Sequence, residues 1–90
     1  MATIRIPPVL RAHTGGAPEV EAEGGNVGEV LRALTAKHPE TESQLFGEEG
    51  DLNRYVNVYL NDEDVRVLKG LDTAVSDGDT VVILPAMAGG

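Results

Sequence analysis

Cysteine is absent from all 90 residues, which removes disulfides, thiolate metal ligands and thiol nucleophiles together. Any sulfur the protein handles must therefore be held elsewhere than on a cysteine side chain. Basic residues are scarce: seven Lys and Arg face fifteen Asp and Glu, a formal charge of −8. Such a chain repels nucleic acid phosphates and anionic lipid surfaces, and its expected partners are proteins with basic docking surfaces. No apolar run is long enough to span a bilayer, and the opening Met1-Ala2-Thr3-Ile4-Arg5-Ile6 lacks the apolar stretch of a signal peptide. A cytoplasmic location is the expectation. What remains is an apolar fraction of 41%, with Val, Ile and Leu too regularly placed for a disordered chain. One small domain is expected, with a core that a single sheet and one helix would use up.

Ile4 and Ile6 alternate with Thr3 and Arg5, which predicts a strand over about 2–7, ended by Pro7-Pro8 because proline cannot donate to a ladder. A loop through Arg11–Pro18 follows, and Glu19-Val20-Glu21-Ala22-Glu23 alternates with period two, as a half-buried edge strand does. The two would pair as an antiparallel hairpin. Asn26 and Glu29 have the spacing of a capping box, so a helix starts at Val27. Val27, Val30, Leu31 and Leu34 then share one helical face, and Pro39 sets the end, giving a helix at about 27–38. In the polar stretch 40–51, Leu45 and Phe46 should pin a short helical turn to the core. Val56, Val58 and Leu60 alternate with Tyr55, Asn57 and Tyr59 in a third strand over 54–60, with the tyrosines outward. Val65-Arg66-Val67 is expected to add a short strand. After a turn at Ser76–Asp79, Val81-Val82-Ile83-Leu84 is apolar on both faces, as a central strand flanked by neighbours is. First and last strands lying parallel, with a right-handed crossover helix, give an α+β, β-grasp (ubiquitin-like) fold: a mixed four- to five-stranded sheet crossed by one main helix.

The body offers little chemistry of its own. His13 and His38 have no second ligand at metal-binding spacing and read as solvated or capping residues. Asp62-Glu63-Asp64 lacks the ligand alternation of a calcium loop and reads as a solvated turn. Ser76 and Thr73 have no histidine placed for a triad, and no phosphate-binding loop is present. No catalytic residue and no bound cofactor or metal is expected. The chain ends, however, in Pro85-Ala86-Met87-Ala88-Gly89-Gly90. Glycine has no Cβ, so such an end can thread a narrow channel and present its carboxylate. With a folded domain over 1–84, a flexible tail of six residues, 85–90, reaches about 20 Å into a partner. Gly90 is the candidate reactive position, with Gly89, Ala88 and Met87 as the residues that thread the partner's active site. Met87 reads equally as an exposed side chain or as a contact inside that partner.

A β-grasp pattern ending Val-Val-Ile-Leu-Pro-Ala-Met-Ala-Gly-Gly resembles the ubiquitin-like sulfur carriers, a family that includes the small subunit of molybdopterin synthase and the thiamin sulfur carrier. Within it, Ile6–Arg11, His13–Gly16, Tyr55–Arg66 and Asp77 through the tail most resemble the carriers of cysteine biosynthesis. Molybdopterin-type subunits tend to carry two prolines before the tail, whereas Ala86 follows Pro85 here. The resemblance implies that Gly90 is adenylylated by an activating enzyme using ATP and Mg²⁺. Persulfide sulfur, relayed through a rhodanese-like domain, then replaces AMP to leave a thiocarboxylate. In the cysteine pathway that thiocarboxylate attacks an aminoacrylate formed by a pyridoxal-phosphate synthase from O-phosphoserine, and a zinc metallopeptidase releases the product. A molybdopterin synthase subunit and a ubiquitin-like modifier or binding module stand as alternatives. Tyr55 and Tyr59 are a possible contact patch or pack under a loop.

Overall fold

The structure, a computed structural model, describes residues 1–47, 50–53 and 56–85. The four tail residues singled out above, Met87, Ala88, Gly89 and Gly90, lie outside the described residues, as do Arg54 and Tyr55.

Among the described residues, five strands form one mixed sheet: β1 Ala2–Arg5, β2 Glu19–Ala22, β3 Val56–Leu60, β4 Glu63–Asp64 and β5 Thr80–Pro85, in the spatial order β2-β1-β5-β3-β4. β1 and β5 run parallel, with Ile4 opposite Val81, while the other pairs are antiparallel. The long helix α1, Val27–Lys37, covers one face, and the short α2, Glu42–Leu45, follows it. This is the expected β-grasp arrangement, with the last strand in the middle of the sheet.

The helix forms where its signals stand. Asn26 is the N-cap, its Oδ1 accepting from the Glu29 backbone N–H at 2.8 Å. The reciprocal arm of the box differs: Glu29 Oε1 accepts from Gly25 N–H at 2.7 Å, one residue before the cap. Both bonds satisfy donors that the helix itself cannot. Asn26→Ala should cost about 1 kcal/mol, read as a lower urea midpoint at unchanged slope; a midpoint equal to wild type would show that the cap contributes nothing. Val27, Val30, Leu31 and Leu34 are fully buried against Ile4, Val58, Val81 and Ile83. His38 closes the helix as C-cap, its N–H donating to the Leu34 carbonyl at 2.8 Å. Leu45 and Phe46 are both buried, as expected of the pair that pins 40–51 to the core.

Two expectations are corrected. The first strand stops at Arg5 rather than residue 7, and Pro8–Thr14, read as ending strand and loop, forms a 3₁₀-helix. Pro7 caps it in extended geometry, Pro8 fits its first turn, where no N–H is needed, and Gly15 ends it at φ 67°. The extra strand expected at Val65–Val67 is instead β4, Glu63–Asp64. Asn61 adopts φ 53°, a left-handed geometry that asparagine tolerates. That permits a two-residue connection in which Leu60 pairs directly with Glu63. Asp64 Oδ1 then accepts from the Arg66 backbone N–H at 2.9 Å and turns the chain away. β5 is central, as expected, and it is covered on one face only. Val81 and Ile83 are buried under α1, whereas Val82 is half-buried and Leu84 is 44% exposed. One long helix covers one face of a sheet only.

Candidate functional site

Parallel pairing of β1 and β5 fixes where the chain leaves the body. β5 begins beside Thr3, at Thr80, and ends at Pro85, opposite Val56. The tail that carries Gly89 and Gly90 therefore starts from the far end of the central strand, away from the Met1 end of β1. Side chains on the uncovered face form a row across the whole sheet: Glu19, Arg5, Val82, Tyr59 and Asp64 are successive register partners. Val82 and Leu84 make an apolar ridge along β5. Two shallow hollows flank it. The one beside β1 has a volume of about 370 Å³ and is lined by Arg5, Pro7, Pro8, Arg11, Glu19 and the ridge, among others. The one beside β3, about 220 Å³, is lined by Tyr59, Asn61, Asp62, Val82 and Leu84.

The 3₁₀-helix Pro8–Thr14 holds Arg11 at the first hollow. Its Leu10 is buried, and its last residue, Thr14, is buried with Oγ1 in hydrogen-bond reach of the Arg11 and Ala17 carbonyls, at 3.2 and 3.1 Å. Arg11 Nε donates to the Ile6 carbonyl at 3.1 Å, which orients the guanidinium. Arg5 Nε lies 3.8 Å from Glu19 Oε2 in an exposed pair, of a kind worth little in water. Sequence reading put Tyr59 on this face correctly, but missed Arg5, Arg11 and Leu84. The signal for Leu84 was present: an all-apolar strand with only one helix to cover it leaves an apolar stripe exposed.

The histidines do not converge. His13 Nδ1 lies 3.3 Å from Glu40 Oε2, an exposed contact between two 3₁₀ segments, Pro8–Thr14 and Pro39–Thr41. Among the described residues, no group of three or more His, Cys, Asp or Glu is placed to hold a metal ion. Asp64, read from the sequence as part of a solvated turn, is instead paired opposite Tyr59 in β4, with its Oδ1 accepting from the Arg66 backbone N–H. The terminal ammonium of Met1 is exposed and has a pKa raised above its ordinary 8.0, chiefly by its hydrogen bond to Asp77; slight desolvation opposes this, and the charges of Asp77, Glu23 and Glu21 add to it. A raised pKa means that the folded state favours the proton, so the stabilisation is complete below about pH 8 and disappears as pH rises through the folded value. Asp77→Asn should therefore melt slightly below wild type at neutral pH and match it in strong alkali. An equal deficit at both would contradict this coupling.

The sequence matches the ThiS family over residues 4–90. The chain belongs to that family. Among its relatives, the sulfur carrier protein CysO of Mycobacterium tuberculosis is 49% identical over 90 residues, covering 98% of this chain and 97% of the relative. The small archaeal modifier protein 3 of Haloferax volcanii is 40% identical over 68 residues, 76% of this chain and 73% of that protein. In a crystal structure of the Amycolatopsis orientalis BexX/CysO complex, the matching chain superposes with a TM-score of 0.92 at 49% identity and full coverage of both chains. This ThiS-family chain is thus like sulfur carriers, small proteins that serve enzymes rather than act as enzymes themselves. The CysO chain of that structure is in complex with BexX.

Proposed function

We propose that the chain is a sulfur carrier whose Gly90 carboxylate is adenylylated and converted to a thiocarboxylate that donates sulfur for cysteine, or a related thiolated metabolite. What supports this reading is identity of 49% across the whole chain with a protein named as a sulfur carrier, joined to a sequence that ends Gly89-Gly90. The chemistry follows from the weakness of a carboxylate as an electrophile. A carboxylate oxygen of Gly90 attacks the α-phosphorus of ATP in an activating enzyme, and pyrophosphate leaves with Mg²⁺ assistance. A persulfide sulfur on a rhodanese-like donor displaces AMP from the acyl carbon. A second thiol then cleaves the resulting acyl disulfide, which is reduced to the thiocarboxylate as the donor is oxidised. The chain itself binds no cofactor in this scheme; Gly89, Ala88 and Met87 carry the reacting carbon into each partner. Without cysteine, the chain has no thiol of its own to attack the adenylate.

The proposed acceptor is an aminoacrylate made by a pyridoxal-phosphate synthase from O-phosphoserine, with a zinc metallopeptidase releasing the product and regenerating Gly90. Mixing thiocarboxylated protein with that synthase and O-phosphoserine should produce a cysteinyl adduct on Gly90, seen by intact mass and fragmentation. If the thiocarboxylate is instead consumed only by a larger subunit acting on a precursor pterin, the carrier belongs to molybdopterin synthesis. A second reading, conjugation to protein lysines, is supported by the name of the Haloferax modifier relative. It predicts isopeptide adducts through Gly90 on target lysines.

A further inference from the structure

We propose that the turn at 66–70, beyond the edge strand β4, seats Val67 and Leu68 in an apolar pocket with an acidic rim on the enzyme that consumes the thiocarboxylate. The inference rests on the function proposed above. Val67 is 83% exposed and Leu68 38%, side by side in the connection between β4 and the 3₁₀ turn Gly70–Asp72. Single apolar side chains at a surface are ordinary, but this pair is held rigidly. All five backbone N–H groups from Arg66 to Gly70 are bonded, at 2.7–3.0 Å: that of Arg66 to Asp64 Oδ1, that of Val67 to the Asp64 carbonyl, those of Leu68 and Gly70 to the Val65 carbonyl, and that of Lys69 to Thr73 Oγ1. Val65 and Thr73 are themselves buried and anchor the turn. A surface already ordered in this way loses little conformational freedom on binding.

Charge decides what the partner brings. Two of the chain's seven basic residues, Arg66 and Lys69, bracket the apolar pair. Arg66 donates to neutral acceptors, Asn57 Oδ1 at 3.0 Å and the Asn53 carbonyl at 2.9 Å, and among the described residues neither cation forms an ion pair. In a chain with fifteen acidic residues, two cations left without ion pairs beside exposed apolar atoms call for carboxylates from a partner. The net charge of −8 repels a phosphate backbone or an anionic membrane, so that partner is a protein. Position ties the turn to the tail. Asn57 lies opposite Leu84, the residue before Pro85, which sets the Arg66 guanidinium level with the end of β5, two strand spacings or about 10 Å across the sheet. Only five residues follow Pro85, a reach of about 17 Å, so an enzyme that holds Gly90 has the turn within the span of its contact. Val82 and Leu84, on β5 itself, are within reach of any enzyme that encloses the tail. The turn is touched only by a partner that extends past β3, and such a contact discriminates between enzymes. Consumption is the step that commits the sulfur to one product, and there discrimination takes effect.

The test uses the full-length thiocarboxylated chain with the pyridoxal-phosphate synthase and O-phosphoserine, following adduct formation by intact mass against carrier concentration. Val67→Asp should raise KM by about tenfold and Lys69→Glu by several-fold, with kcat and melting temperature close to wild type, because both side chains are exposed. Added salt should weaken the wild-type chain more than Lys69→Gln. Ser43→Asp, the same change of charge as Val67→Asp but on α2, should leave KM alone, and ATP–pyrophosphate exchange by the activating enzyme should be equal for all these chains. Unaltered synthase KM in both Val67→Asp and Lys69→Glu overturns this surface and leaves the proposed function standing, as does a rise shared equally by the activating enzyme. Failure of the synthase to consume the wild-type thiocarboxylate contradicts the proposed function itself, and this assignment with it.

Discussion

Deleting Gly90 is expected to abolish thiocarboxylate formation while leaving the melting temperature unchanged. The deletion withdraws the carboxylate by one residue, about 3.5 Å along an extended chain. A misplacement of 1 Å at a reacting centre can cost about a hundredfold, so the loss should be at least of that order. No substitute group is available: there is no cysteine in the chain, and among the described residues there is no cluster fit to hold a metal. The fold should not register the change, because the buried core runs from Ala2 to Ile83. Adenylylation and sulfur transfer, followed by intact mass, and thermal melting check the two halves separately. Sulfur uptake by the shortened chain at wild-type rate would remove Gly90 from the mechanism, and would favour the reading as a non-covalent binding module.

The opposite pattern is expected of Leu31→Ala. Leu31 is fully buried at the centre of the α1 face that packs on β1, β3 and β5. Truncating such a residue removes both transfer free energy and packing, about 2–5 kcal/mol. A domain of 90 residues has on the order of 5–15 kcal/mol in total, so this one change takes a large part of it. Urea unfolding should show a lowered midpoint with an unchanged slope. Leu84→Ala, at a similar apolar side chain that is already 44% exposed, should cost far less. If the two leucines cost the same, the assignment of Leu31 to the core and of Leu84 to the solvent-facing side of the sheet is wrong.

The contrast between these leucines also marks what could be read from the sequence. α1 was legible because three signals coincide at its start and along it: Asn26, Glu29 and the Val27, Val30, Leu31, Leu34 stripe. The central place of β5 was legible because four apolar residues in succession cannot sit at a solvated edge. The same four residues leave the outer face open, since an apolar run does not distinguish a strand buried twice from one that buries a single face. β4 shifted because the left-handed geometry of Asn61 tightened a connection that the acidic run alone made look longer. Arg11 was hidden for a different reason: the 3₁₀-helix that carries it has no apolar period of its own, and its position depends on Leu10 and Thr14 reaching the core. The tail stood out in the sequence through its chemistry, its two glycines, rather than through any pattern of folding.

The purified chain is incubated with ATP, Mg²⁺, its activating enzyme and a persulfide donor, and its intact mass is recorded with fragmentation of the C-terminus. The expected result is a gain equal to the difference between sulfur and oxygen, confined to Gly90 and dependent on ATP. An unchanged mass in the presence of an activating enzyme shown to be competent, or a sulfur adduct located anywhere else in the chain, would contradict it.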